Sequence, residues 1–196
     1  MRKQTTLLGN NQALVRAVFE ESLDVLLRKD ASSILRGVSE RNSCSRLAKY
    51  LEEIAHSRGL DNYYADSEFN RNRGGRRGIK TILDGEGKKK NITCDLILHS
   101  RGEIPQKDNL VAIEMKKKGG DRKTKLEDRD RLCSLTKDSY DGVWFNDGHT
   151  LPKHVCGYSL GVYIELDPDQ GCCRIEYYEG GMMSGTGTRL IPSPAT

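Results

Sequence analysis

Two kinds of apolar spacing alternate along the chain. Residues 11–29 (NQALVRAVFEESLDVLLRK) are rich in strong helix formers and predict a helix that ends at a Ser-Ser turn and Gly37. A second helix is expected from Ser39 or Glu40 to about Ser57, with Ser39 at its N-cap and Gly59 just past its end. At about 100° per residue, Cys44, Leu47, Leu51, Ile54 and Ala55 all lie within about 60° of Glu40. Glu40 therefore belongs to the inward stripe, whereas Glu52 and Glu53 point elsewhere, as surface acids.

Beyond residue 60 the helical period is lost. Residues 61–71 (DNYYADSEFNR) are aromatic-rich and predict a strand, and the Gly- and cation-rich stretch after them reads as a long loop or hairpin. Residues 92–99 (ITCDLILH) and 110–116 (LVAIEMK) are short apolar runs that predict core strands, joined by the turn-forming SRGEIPQKDN. Residues 121–137 read as a highly charged, largely exposed helix. Two more strands are expected at 156–166 and 172–178, followed from Gly180 by a frayed tail. The order of elements predicts an α/β class, with a central mixed sheet flanked by helices. One domain is expected over residues 1–180, its helical part at about 10–57 and its sheet core at about 61–178, with a flexible tail at 181–196.

Composition narrows the class. With 196 residues, 36% hydrophobic and 31% charged, the chain supports a real core under a solvated surface. It holds no bilayer-length apolar run and no secretory signal, so a cytoplasmic protein is expected. Six cysteines without a CxxC spacing then read as reduced, small buried hydrophobes or, as the rival reading, as a functional set. The net charge of +4 is unevenly spread. Arg71, Arg73, Arg76, Arg77, Lys80, Lys88, Lys89 and Lys90 face only Asp84 and Glu86 in one segment, which carries +6 and leaves −2 for the remainder. Such a patch suits a phosphate-backbone partner, or forms a solvated loop.

Two acids interrupt the apolar runs. A buried carboxylate is costly unless it is paired or bound to a metal, yet Asp95 stands inside ITCDLILH and Glu114 inside LVAIEMK. Strand alternation puts Asp95, Ile97 and His99 on one side, and Glu114 with Lys116 on one side of the next strand. On neighbouring strands the two acids face each other with an ammonium alongside. That arrangement suits a hard divalent ion such as Mg²⁺, or an internal ion pair in which Lys116 neutralises one acid. Glu40 has its own bland alternative, a helix-capping acid bridged to Arg46 or Arg41.

In order along the chain stand Glu40 with Arg46-Leu47-Ala48-x-Tyr50-Leu51, Glu68-Phe69-Asn70-Arg71, Asp95-Leu96-Ile97-Leu98-His99 and Ile113-Glu114-Met115-Lys116. Over about residues 39–118 this pattern resembles the PD-(D/E)xK nuclease superfamily, most closely its compact bacterial members, with Cys94 in place of the proline of the family name. The resemblance implies a restriction-endonuclease-like core and a Mg²⁺-dependent endodeoxyribonuclease, with Mn²⁺ able to substitute. It implies that Asp95, Glu114 and the main-chain carbonyl of Met115 hold the ion. Lys116 would orient or deprotonate the attacking water, and Glu40 would hold a second ion or a water on the first. Nucleic acid, DNA rather than RNA, is the expected partner, gripped by Arg71, Arg73, Arg76, Arg77, Lys88, Lys89 and Lys90. The chain would act as a homodimer or within a larger assembly, and not on a membrane. The rival within the fold is a non-catalytic nucleic-acid-binding or scaffold module. Tyr63, Tyr64 and Phe69 either stack on bases or pack the sheet, and His99 either supports the site or packs.

Overall fold

The computed structural model describes residues 2–72, 78–79, 81–83, 87–140, 144–145 and 154–193. Four helices, α1 (Arg2–Lys29), α2 (Ala31–Leu35), α3 (Glu40–Ser57) and α4 (Arg122–Thr136), surround a mixed six-stranded sheet. The strands in chain order are β1 (Tyr64–Ser67), β2 (Arg71–Asn72), β3 (Gly78–Ile79), β4 (Thr81–Leu83), β5 (Lys89–Asn91), β6 (Leu96–His99), β7 (Asn109–Lys117), β8 (Ser139–Tyr140), β9 (Trp144–Phe145), β10 (Leu160–Asp167), β11 (Cys172–Glu179) and β12 (Met182–Leu190). The main sheet runs β1-β6-β7-β10-β11-β12, and the short strands pair as three separate hairpins. Among the described residues only β7 and β10 pair in parallel, joined through α4, as a parallel pair requires a crossover.

The sheet is covered on both faces, which explains why β7 reads as an almost unbroken apolar run. On one face Leu96, Leu98, Val111, Ile113, Met115, Val162 and Ile164 pack against α1 and α3. On the other, Ile97, Ala112 and Tyr163 pack against Leu132 and Leu135 of α4 together with Ile82, Val155 and Tyr158. The first interface is a broad apolar one. The second adds an ion pair from α4 to each of three strands: Arg131 to Glu114 of β7 (2.6 Å), Lys125 to Glu165 of β10 (2.6 Å) and Arg129 to Glu176 of β11 (2.7 Å).

The mixed α/β architecture and α3 match expectation. Ser39 caps α3 by accepting from the Asn42 N–H, and the inward stripe Cys44, Leu47, Leu51 and Ala55 is buried. Several boundaries differ for identifiable reasons. The Ser-Ser segment forms the short helix α2 rather than a turn. The strand expected at 61–71 stops at Ser67, because Glu68 adopts a left-handed φ of 52° and breaks the ladder. Residues 92–95 precede β6 rather than belonging to it, so Asp95 sits at the strand's mouth. Helix α4 is less exposed than expected, since Asp128, Leu132, Ser134, Leu135 and Thr136 are buried. The expected tail instead forms β12, paired along β11 and followed by the buried Ile191. Its glycines lower strand propensity but have a packing role, since the Tyr177 ring lies across Gly185 and Gly187.

Gly161 marks a close contact between β10 and α4. A Cβ there would stand 2.9 Å from Thr136 Cγ2 and 3.1 Å from Tyr178 Cβ, and Thr136 is held by hydrogen bonds to Leu132 O and from the Gly181 N–H. Gly161→Ala is expected to cost about 1–3 kcal/mol by overpacking. Urea unfolding reads this directly, and an unchanged midpoint would mean that β10 can retreat from α4.

Candidate active site

The site grows out of a mismatch in strand length. β7 outruns β6, whose first residue, Leu96, pairs with Ile113. The Lys118 N–H donates to Leu166 O of β10 at 2.8 Å, so by strand alternation Met115 and Lys117 turn their main-chain groups the other way, past the start of β6. Among the described residues no strand meets them there. Instead Asp95 Oδ2 accepts the Met115 N–H at 2.9 Å and Glu40 Oε1 accepts the Lys117 N–H at 2.7 Å. The Met115 carbonyl points with its own N–H, toward the Asp95 side. Two acids from different elements thus finish one open stretch of sheet edge.

The side chains of Glu114 and Lys116 leave the sheet toward α4. Lys116 Nζ lies 3.0 Å from Asp95 Oδ2 and 3.4 Å from Asp128 Oδ2. Arg131 Nη1 donates to Glu114 Oε1 at 2.6 Å and lies 3.2 Å from Asp128 Oδ1. Three carboxylates, Asp95, Glu114 and Asp128, thus gather about two cations in a partly water-excluded place, and Glu40 stands at the end of β7 on the Lys117 N–H. Asp95 keeps 30% of its side chain exposed and opens the cluster to solvent, whereas Glu114 is fully buried.

Burial pushes the Glu114 carboxyl up to about 8; the attraction of Arg131 opposes this, and the nearby Asp95 and Asp128 add to it. Burial likewise raises Asp128 against the pull of Lys116 and Arg131. Burial works against the charge on Lys116, but Asp95 and Asp128 together hold its ammonium above the ordinary lysine range. Lys116 is therefore a fixed cation. Below the cluster, on the opposite face, Cys44 Sγ meets Met115 Sδ at 3.8 Å, and burial, then Asp95 and Glu114, raise that thiol.

The donors present fit a hard divalent cation. Among the described residues no group of three His, Cys, Asp or Glu side chains is arranged to hold a metal. Mg²⁺ does not require such a cage, since it keeps several waters and binds through one or two carboxylates. Glu114 Oε2 is a buried oxygen without a hydrogen-bond partner, as are Asp128 Oδ2 and the hydroxyl of Tyr163, the residue paired with Glu114 across β7 and β10. Asp95, Glu114 and the Met115 carbonyl are the groups that would hold the ion.

The remaining expected residues separate into distinct places. Glu40 is bridged to neither arginine considered for it: Arg46 binds Asp30 (2.8 Å) and Arg41 binds Glu68 (2.7 Å). Lys88, Lys89 and Lys90 are exposed at or beside β5, and Arg71 lies in β2, while Arg73, Arg76 and Arg77 fall outside the described residues. The aromatics pack rather than stand open: the Tyr63 hydroxyl donates to Lys107 O, Arg101 covers Tyr64, and Phe69 leans on His99 with ring centroids 4.7 Å apart. His99 is buried against Asp66 at 3.0 Å. All six cysteines are free thiols, and all but Cys133 are buried. Asp128, Arg131 and Tyr163 are the site residues that sequence reasoning missed. The test that flagged Glu40 would have found Asp128, which shares a helical stripe with Leu132 and Leu135.

The raised Glu114 predicts a sign for stability against pH. The folded state binds a proton there that the unfolded chain releases near 4.5, so stability falls as pH rises from about 4.5 to about 8 and then levels. The slope from this group is at most about 1.4 kcal/mol per pH unit. In chelator, Glu114→Gln is expected to flatten that part of the curve and to gain on the wild type above pH 8, measured as urea midpoints at pH 6 and 9. A wild-type curve that rises with pH across this window would contradict the assignment.

No protein-family model, curated protein or solved structure matches the chain.

Proposed function

We propose that the chain is a metal-dependent nuclease of the PD-(D/E)xK type, hydrolysing phosphodiester bonds of nucleic acid, with DNA favoured over RNA. The observation that carries this reading is the meeting of Asp95, Glu114 and Lys116 at the open end of β7, with acids in excess and a buried Glu114 oxygen unpartnered. The mixed sheet flanked by helices is consistent with a restriction-endonuclease-like core, and the free thiols are consistent with a reducing, cytoplasmic setting.

A bound divalent cation supplies Lewis acidity toward a phosphate oxygen and makes water easier to deprotonate. The chain's own groups do the rest. Lys116, held charged between Asp95 and Asp128, offers a positive end to the negative charge that develops on the phosphate. This narrows its part to charge stabilisation and orientation, because an ammonium kept protonated is a poor base. Arg131 fixes one Glu114 oxygen and leaves the other buried without a hydrogen-bond partner. Glu40 anchors the end of β7 through the Lys117 N–H. Main-chain hydrogen bonds on Asp95 and Glu40 hold these carboxylates before any ligand arrives, a pre-organisation that lowers the cost of binding.

The deciding experiment is a cleavage assay with Mg²⁺ or Mn²⁺ over single-stranded, duplex, branched and RNA substrates. Asp95→Asn, Glu114→Gln and Lys116→Ala are expected to lose on the order of 10²–10⁴-fold in rate while still binding nucleic acid. The isosteric changes are preferred because Asp95 also satisfies the Met115 N–H. A wild-type chain that binds but cuts none of these substrates would favour the non-catalytic scaffold. Binding itself tests the basic segment: replacing Arg73, Arg76 and Arg77 together should flatten the log–log salt dependence by about one unit per lost phosphate contact. An unchanged slope would return the segment to a solvated loop.

A further inference from the structure

The two edges of the six-stranded sheet are built differently. At one edge β1 is only four residues long, and Glu52 reaches up to accept the Ala65 N–H at 2.8 Å, covering an open donor. The other edge is β12, nine residues long, with β11 on one side and, among the described residues, no strand on the other. The Ile191 N–H donates to Gly171 O at 2.9 Å, one rung beyond the Leu190–Cys172 pair. Rungs of an antiparallel ladder alternate. Gly185, Gly187 and Arg189 therefore turn their main-chain groups to β11, and Thr186, Thr188 and Leu190 turn theirs outward. A register shift between Tyr177 and Tyr178 displaces the start of β12 and leaves residues 185–190 regular.

The side chains of this edge are also open. Among the described residues the exposed large hydrophobics are Leu126, Met182 (66%), Met183 (57%) and Leu190 (78%), three of them on β12. Soluble proteins blunt such an edge with lysine, proline or an inward-pointing charge. β12 has no lysine or proline, and its single charged residue, Arg189, is folded back onto Glu20 (3.3 Å) and Asp24 (3.5 Å) of α1.

We propose that a second copy of this chain covers the edge, β12 pairing with β12 antiparallel about a two-fold axis at Thr188. The three outward residues are symmetric about that position. Thr188 then meets Thr188 of the partner subunit, and Thr186 meets Leu190 of the partner subunit. Leu190 in turn meets Thr186 of the partner subunit, giving three hydrogen-bonded pairs of two bonds each, about six in all. A two-fold antiparallel pair must be centred on a residue, since only then does the alternation of rungs agree between the strands, and this register satisfies that condition. It also sets Arg189 opposite Gly187 of the partner subunit, so that the two arginines do not meet. The contact is isologous and closes at two copies, which prevents the open edge from propagating. This inference does not depend on the nuclease reading.

Sedimentation of the purified full chain tests it. The wild type is expected to approach twice the 22.0 kDa chain mass as concentration rises. Thr186→Pro removes an outward N–H that the β11–β12 hairpin does not use, and is expected to sediment as a monomer with an unchanged circular dichroism spectrum. Thr188→Lys sets two ammonium groups against each other at the axis. It is expected to weaken association at least about tenfold, with partial recovery in high salt, and it decides the matter if the proline variant misfolds. The amides of Thr186, Thr188 and Leu190 should exchange at least about tenfold more slowly in the wild type than in the lysine variant, since they have no acceptor within the hairpin. A wild type that stays monomeric at every concentration, or a dimer indifferent to both substitutions, overturns the proposal; the first outcome would leave the edge to a foreign strand.

Discussion

Everything distinctive about this molecule follows from main-chain donors that outrun their neighbouring strand. β7 is nine residues long and β6 four, so the Met115 and Lys117 amides project past the last rung they can share. A buried amide without an acceptor costs free energy comparable to a lost hydrogen bond, so acceptors must come from side chains. Asp95 and Glu40 supply them. Once two carboxylates are committed there, the alternation of β7 brings Glu114 and Lys116 to the same place on the α4 side. The candidate site and the edge repair thus share two carboxylates, Asp95 and Glu40.

That coupling explains how the charges are balanced. Negative charge collected for a main-chain reason must be offset in a place where water is scarce, and Lys116 and Arg131 do this in part. Burial above all, with the neighbouring Asp95 and Asp128 adding to it, makes the deepest acid hold its proton more tightly, with Glu114 near 8. Asp128 and Arg131 tie α4 to this cluster.

Local pattern carried part of this. The inward stripe of α3 placed Glu40, and the alternation of LVAIEMK put Glu114 and Lys116 together, because both rest on periodicities that neighbouring chain cannot change. Boundaries were harder. The left-handed Glu68 that ends β1 and the late start of β6 at Leu96 depend on tertiary pairing rather than on residue type. Helix α4 was misjudged because its charges were counted without their phase: Asp128 points at Lys116, while Lys123 and Glu127 on the same helix are exposed. The strand β12 was hidden by its glycines, which suit a tail by propensity and a close approach to Tyr177 by geometry.

The three ion pairs that fasten α4 to β7, β10 and β11 give the two sides of the sheet unlike physical characters. The side toward α1 and α3 is held by apolar surface, whose contribution fades on cooling and strengthens with excluded salts such as sulfate. The α4 side is held in good part by charge, which dissolved ions screen and which loses less to desolvation as temperature rises. Cold therefore weakens the apolar packing on both faces, and added salt acts further on the three ion pairs of the α4 side. Because α4 is the wall behind Glu114 and Lys116, ionic strength reaches the candidate site through the helix that frames it, quite apart from its effect on any polyanion outside.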